Sequence, residues 1–579
     1  MTRPPRPLIA PEMTPGDQLL EAGRRMATDW TLGRNLFLTT EDVASEAAYK
    51  RRCSAEGRIM QHAHIGFRSV ERTIGAMAEL HESALAEGVR IDRFGITLDW
   101  SMGYPLDRRK DGVRGTGIVL NGPEDFARIT HASPAAAHFG DFMLGLPGAL
   151  DNTRAALAAG ATAIGNMGQY FTFRLPHWDD DVATTEATVT ALGLIAAQKA
   201  DILVHSNLDD GFAGLFVDMT SAFGMMLVEK HIVEDLIGAQ ASFCFGHHFS
   251  APLTRAAFHA ALARATDTPG TMIFGNTVSY QGHAAANYAS LASYLLADIA
   301  ALGRAPTGHA INPVPVTENL RIPDVDEILE AQRFAARLVQ HAPGHRDLQD
   351  TRLIDALADR LIEGGRKFAR RVLAGLAERG VDTADPAALM LAIRRIGARG
   401  MEALWGLGTE EVEARRPLIP ADWAEELEEM AQGWLARQTD LPADLSGVTI
   451  ALGTTDVHEH GAFLVARVLR QLNVQVIDMG SSVDADDLVA SALEAQADAI
   501  AVSTYNGVGL RYGREVIGAL KAHGADLPVM IGGKLNEIPE ESNSGLPVDV
   551  SDEIRSAGAI PCADLDDMVP ILRRCATRI

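Results

Sequence analysis

Eight short apolar runs recur between residues 55 and 323, separated by helix-length, alanine-rich stretches. They are Ile59–Ile65, Arg93–Asp99, Ala137–Leu144, Ala161–Gly165, Ile202–Ser206, Ala241–Phe245, Thr271–Gly275 and Gly308–Asn312. A strand followed by a crossover helix pairs in parallel, and a parallel sheet is covered on both faces, so its strands read as nearly continuous apolar segments. Eight such units in about 250 residues is the number at which the sheet closes on itself, so the pattern predicts a (β/α)8 barrel. Polar residues at the C-terminal strand ends of such a barrel are the first place to look for chemistry.

The α/β alternation resumes beyond residue 441. Strands Val448–Leu452, Ala499–Ser503 and Leu527–Ile531, with helices Ala462–Gln471 and Asp484–Ala495, predict a doubly wound, Rossmann-like parallel sheet. Three strand ends carry small or polar residues: Thr455-Asp456-Val457-His458-Glu459-His460-Gly461, Ser503-Thr504-Tyr505-Asn506-Gly507, and Gly532-Gly533. Ligands of open α/β sheets bind at this edge. A carboxylate two residues before a histidine can take the N–H of a ligating imidazole, which sets its tautomer and raises its basicity. Gly461 lets the backbone approach a bulky ligand. An ordinary polar βα loop would also accommodate this Asp and His.

Taken in order, Asp456-x-His458-x-x-Gly461, Ser503-Thr504-Tyr505 and Gly532-Gly533 resemble the D-x-H-x-x-G, S-x-L and G-G motifs of the B12-binding domain of adenosylcobalamin mutases and methionine synthase. The resemblance implies that His458 ligates cobalt and that Asp456 orients it. It also implies that Thr455, Val457, Glu459, Gly461, Ser503, Thr504, Tyr505, Gly507, Gly532 and Gly533 seat the cofactor and its buried nucleotide tail. Tyr505 stands where that family has leucine, which changes the apolar wall of the slot.

The barrel region resembles the large subunit of glutamate mutase, here fused to the small cobalamin subunit. Gly211–Gly224 is similar to that family's corrin-facing segment and Gly160–Pro176 to its strand-4 substrate loop. Pro315–Glu318 with Arg321–Pro323 is similar to the strand-8 segment whose glutamate contacts the adenosyl ribose. The resemblance implies an adenosylcobalamin-dependent carbon-skeleton mutase, a radical 1,2-rearrangement, Glu318 as the residue that positions the cofactor, and a homodimer. The chain departs from the family where substrate would bind. Glutamate mutase grips carboxylates with arginines, whereas this chain offers His62, His64, Gly103 and His138, with Asn166, Met167 and Tyr170 in the strand-4 loop. An imidazole does not replace the planar fork of a guanidinium. The expected substrate is therefore a small carboxylic or amino acid-like molecule other than glutamate, held by His62, His64, His138 and Asn166 and anchored by Arg174 or Arg68.

Other histidines at predicted strand ends are His177, His205, His247 and His248. They open a rival reading, because His62-Ala63-His64 resembles the metal-binding H-x-H of amidohydrolases, and alternation puts both rings on one strand face. A metal-dependent barrel hydrolase leaves the C-terminal motifs without a purpose. Corrinoid-dependent methyl transfer and a cobalamin-binding regulator or light sensor are further alternatives; the fused barrel counts against the sensor. His460 is expected to face solvent or a phosphate, and Asp179-Asp180-Asp181 to form a solvated loop.

Composition narrows the setting. A net charge of −24 opposes nucleic-acid and anionic-membrane partners. Four scattered cysteines without a C-x-x-C pair fit reduced thiols in the cytoplasm. The N-terminus has no apolar signal core, and no segment is apolar over a bilayer's width. The chain divides into a helical arm over 1–54, the barrel over 55–323, a helical region and linker over 324–440, and the cobalamin-binding domain over 441–579.

Overall fold

The structure is a computed structural model. It describes residues 6–577 apart from 29, 31, 210–214, 247, 250, 276–279, 281, 347, 349, 411–414, 439–444 and 539–545. His247, the start of the Gly211–Gly224 segment and residues 439–444, at the junction of the linker and the C-terminal domain, therefore lie outside the described residues.

The eight apolar runs form eight parallel strands: β1 (Met60–Ile65), β2 (Arg93–Ile96), β3 (Ala136–Phe139), β4 (Ala163–Ile164), β5 (Leu203–Asn207), β6 (Gln240–Phe245), β7 (Met272–Ile273) and β8 (Ala310–Ile311). The hydrogen-bonded ladder runs from β7 down to β1 and on to β8. The ring closes just ahead of β7 and β8, where the Gly270 N–H donates to the Thr307 carbonyl at 2.8 Å. Strand-to-helix turns carry their own caps. Ser69, Asp180 and Asp218 accept from the first-turn N–H groups of the helices that follow. Asp180 thus caps a helix, Asp181 pairs with Arg395 at 2.8 Å and Asp179 with Arg174 at 2.7 Å, so the acidic run is anchored at all three positions.

The apolar core lies between the strands and the surrounding helices, whereas the barrel axis is polar. Helix Glu46–Ala55 plugs the N-terminal end. There Glu46 pairs with Arg93 at 2.8 Å and with Lys50 at 3.3 Å, all three buried. Helix Val325–Arg346 packs beside β1, where Gln332 donates to the His62 carbonyl at 2.8 Å and accepts from Gln61 at 2.8 Å. The next two helices, Thr351–Glu378 and Pro386–Trp405, contribute to the barrel's apolar core. No helix among the described residues is long and apolar enough to cross a membrane.

The C-terminal sheet holds β9 (Thr449–Thr454), β10 (Gln475–Asp478), β11 (Ala499–Thr504), β12 (Val529–Gly533) and β13 (Ile560–Cys562), all parallel. Its spatial order is β10-β9-β11-β12-β13. Ile450, Leu452 and Ala501 face one helical layer, and Ala451, Ile500 and Val502 face the other, the period-2 signature of a doubly wound sheet. The chain leaves β9 toward β10 on one side and returns to β11 on the other, so the topological switch point lies between β9 and β11.

Candidate functional site

The switch point is where the sequence motifs meet. Asp456 Oδ1 accepts from the His458 ring nitrogen Nδ1 at 2.6 Å and from the His458 N–H at 2.9 Å. Its Oδ2 accepts from the Asn506 N–H at 3.1 Å, the Tyr505 N–H at 3.3 Å and the Thr455 hydroxyl at 3.0 Å. Burial alone would raise this carboxyl; the adjacent His458 and the N–H donors outweigh that and hold it below its usual range. With Nδ1 committed to a carboxylate, Nε2 is the ring atom with a lone pair for a metal.

Glycines keep space around this loop. A Cβ on Gly461 would lie 2.6 Å from the Ser503 hydroxyl, and one on Gly533, at φ +105°, would lie 2.2 Å from the Thr504 carbonyl. The Thr504 hydroxyl lies 3.0 Å from that of Thr455. Gly507, at φ +69°, turns the chain beside Asn536, and Gly532 backs onto Cys562. An imidazole oriented by a buried carboxylate, beside a cradle that side chains would fill, fits the lower ligand and tail of a corrinoid.

Several neighbours have other employment than the motif implies. Glu459 turns its carboxylate to Arg399 at 3.2 Å, and Val457 packs into the apolar interface with the barrel. His460 stacks on Trp423, with centroids 5.3 Å apart and rings inclined at 17°, instead of facing solvent or a phosphate. Tyr505 is more than a slot wall. Its ring lies on that of His458, centroids 4.2 Å apart and inclined at 25°.

This edge of the sheet is docked on the C-terminal rim of the barrel. Val457 and Val508 join Trp100, Tyr104, Leu146, Phe173 and Leu175 in one apolar cluster. Arg174 reaches Asp484 at 2.9 Å, and Arg399 reaches Asp478 at 3.0 Å. A narrow crevice remains at the seam, bordered by Trp100, Phe173, Arg174, Asp456 and Arg511.

Below the rim, His62, His138 and His205 form a layer across the barrel. The His138 ring lies 4.6 Å from His205 and 6.4 Å from His62, and none of the three is more than 6% exposed. His64 stands one layer above, with Nε2 2.7 Å from the Thr97 hydroxyl. Glycines make the room: a Cβ on Gly95 would lie 2.5 Å from His62, one on Gly140 2.8 Å from His138, and one on Gly165 2.9 Å from His205. Burial, and then the Arg93 charge, pushes all four imidazoles down, His64 to about 4, so the layer is neutral at pH 7. Nδ1 of His64, Nδ1 of His138 and the amide of Asn312 are buried without a hydrogen-bond partner among the described residues. Arg93, whose guanidinium lies 3.4 Å from His62 Nδ1, and Asn312, the residue after β8, are functional candidates that the sequence reading missed, although both sit within predicted strands.

Several other candidate residues are engaged within the protein. Asn166 is spent on its own loop, accepting from Gly168 and Asn207 N–H at 2.9 and 2.7 Å and donating to the Asn207 carbonyl at 3.2 Å. Arg174 is engaged with Asp179 and Asp484, and Arg68 donates to the Thr116 carbonyl at 3.2 Å. His177 lies at the seam, its N–H on Asp484 at 3.0 Å. His248 is fully buried, paired to Asp209 at 2.8 Å and accepting from the Phe216 N–H at 3.1 Å, which makes it a brace. Among the described residues no group of three or more His, Cys, Asp or Glu side chains is arranged to hold a metal ion. Glu318 lies on the segment after β8 and is exposed to solvent.

Residues 447–553 match the B12 binding domain family. Over 91 residues the chain is 32% identical to the fused isobutyryl-CoA mutase of Paraburkholderia xenovorans (strain LB400), covering 16% of this chain and 7% of that protein. It is also similar to a solved cobalamin-binding protein from Desulfitobacterium hafniense DCB-2, at 26% identity over 22% of this chain and 58% of that one, with a TM-score of 0.18. The chain thus spans less than two thirds of either relative. The C-terminal sheet is a B12-binding domain.

Proposed function

We propose that this protein is an adenosylcobalamin-dependent radical mutase that rearranges the carbon skeleton of a small carboxylic or amino acid-like substrate other than glutamate. The observation that carries the reading is the docking of the Asp456–His458 edge of a B12-binding domain on the rim of a barrel with a polar, glycine-relieved interior. When bound, adenosylcobalamin supplies a homolysable cobalt–carbon bond, and the protein supplies binding, orientation and exclusion of water.

In this reading His458 meets cobalt through Nε2 and Asp456 fixes the tautomer. Gly461, Ser503 and Gly532 make room for the nucleotide tail. The apolar seam of Trp100, Phe173, Val457 and Val508 keeps water from the space between the domains. Neutral His62, His64 and His138, with Asn312, offer hydrogen bonds without charge, which suits a substrate held by several weak contacts over one clamped by arginines. Glu318 stands toward the adenosyl ribose by its likeness to the strand-8 glutamate. The Glu46–Lys50–Arg93 plug closes the far end of the axis, so substrate enters from the rim. A closed floor favours a small, unappended molecule over a coenzyme A thioester such as the one in the relative's name.

The test is spectroscopic first. Adenosylcobalamin added to the purified protein is expected to give the base-off, histidine-ligated absorption spectrum, and His458→Ala to lose it; an unchanged spectrum in the variant overturns the ligand assignment. Electron paramagnetic resonance in the presence of a panel of small acids and amino acids is then expected to show an organic radical coupled to cobalt for the true substrate. A full panel without such a signal counts against radical chemistry.

A further inference from the structure

The Asp456 carboxylate ties two loops together, with the His458 ring and N–H on one oxygen and the Tyr505 and Asn506 N–H groups on the other. The same turn then lays the Tyr505 phenol ring on the imidazole, centroids 4.2 Å apart and inclined at 25°. Lys534, just past β12, stands 5.9 Å from the centroid of that phenol ring and donates to the Asn319 carbonyl of the barrel at 3.3 Å. A hydrogen bond at Nδ1 pins one atom of the imidazole but leaves the ring free to pivot about that contact. A flat neighbour on one face sets the plane, and with it the direction of the Nε2 lone pair.

We propose that Tyr505 is a positioning residue for the His458 ligand, its ring setting the plane of the imidazole and Lys534, tied to the barrel rim through the Asn319 carbonyl, steadying that ring. The proposal rests on the reading of His458 as the cobalt ligand. Leucine, which stands at this position in the resembling family, fills volume but has no flat face. Outer-shell groups that hydrogen-bond a metal ligand typically cost about 10- to 100-fold in metal affinity when lost, and a stacking partner that sets the same ring's plane is expected to act toward the lower end of that range. Tyr505 remains 41% exposed, so its outer edge stays available to a corrin ring.

The experiment uses the full chain with Tyr505→Phe, Tyr505→Leu and Tyr505→Ala. Adenosylcobalamin affinity is read from the base-off to histidine-ligated absorbance change, and ligand order from the nitrogen superhyperfine splitting of bound cob(II)alamin. Tyr505→Phe is expected to match the parent in both. Tyr505→Leu and Tyr505→Ala are expected to bind roughly tenfold or more weakly and to broaden the nitrogen splitting, at unchanged circular dichroism. Should the alanine variant fail to fold, the leucine variant carries the test, because it keeps the apolar volume. Parent-like affinity and splitting in both truncated variants overturns the proposal. So does tighter binding, which would mean that the phenol occupies the corrin's seat. A parent protein without nitrogen splitting overturns the cofactor reading itself, and this proposal with it.

Discussion

On helix Met219–Lys230, Glu229 is fully buried between Ser206 and Tyr170, and burial raises its carboxyl to about 8, the Ser206 hydroxyl offsetting only part. The group is protonated in the native protein at pH 7 and ionised in the unfolded chain. Its stabilising contribution is complete below about pH 4.5 and is lost as pH rises toward 8. Glu229→Gln removes that dependence. The parent's denaturation midpoint is expected to fall relative to the variant between pH 5 and 8, by an amount on the order of 4 kcal/mol in free energy; parallel curves would show that Glu229 is ionised in the native state. At this scale Asp456 and His458 are legible because they are two residues apart on one loop. The Tyr505 ring is not, because it reaches His458 from a neighbouring strand. Asn166 shows the converse: a polar residue in a well-predicted loop is consumed by the backbone around it.

The barrel strands are legible because both of their faces are covered, which makes each a dense apolar run. Strands β10 and β13 are not, because they lie at the sheet edges, are short, and read Gln-Val-Ile-Asp and Ile-Pro-Cys. The polar barrel interior is hidden for a related reason. Inward positions that ordinarily carry branched apolar side chains hold histidines here, paired with glycines on adjacent strands. Gly95→Ala puts a methyl 2.5 Å from His62 Nε2 and 2.6 Å from His64 Nδ1. This is expected to destabilise the barrel by about 1–3 kcal/mol, as overpacking does. Gly75→Ala, on helix Val70–Ala86 with open space around it, is the control and is expected to add roughly 0.5–1 kcal/mol. Equal denaturation midpoints for the two would refute the packing account of Gly95.

At the scale of the whole molecule, two arginines hold the C-terminal sheet against the barrel, one through the last residue of β10 and one through the segment that follows it. Arg174 comes from the loop after β4. Arg399 follows Gly397, whose φ of +70° breaks helix Pro386–Trp405 two residues earlier. Both guanidinium groups are partly exposed, which limits each pair to about 1 kcal/mol. The double variant Arg174→Ala/Arg399→Ala is expected to shift the equilibrium between docked and separated domains by roughly tenfold. Small-angle scattering would read this as a larger radius of gyration, and added salt would produce part of the same change in the parent. An unchanged radius would mean that the apolar seam alone holds the domains together.

Local pattern determined the two fold classes and the cofactor loop. Periodicity and strand-end residues are short-range properties, written within a few positions of one another. Only the tertiary structure decided which polar groups face which. The histidine layer, the plug beneath it, the ring on His458 and the latch on Asp478 each join residues from separate elements. Their chemistry depends on burial and on neighbours that chain proximity does not encode.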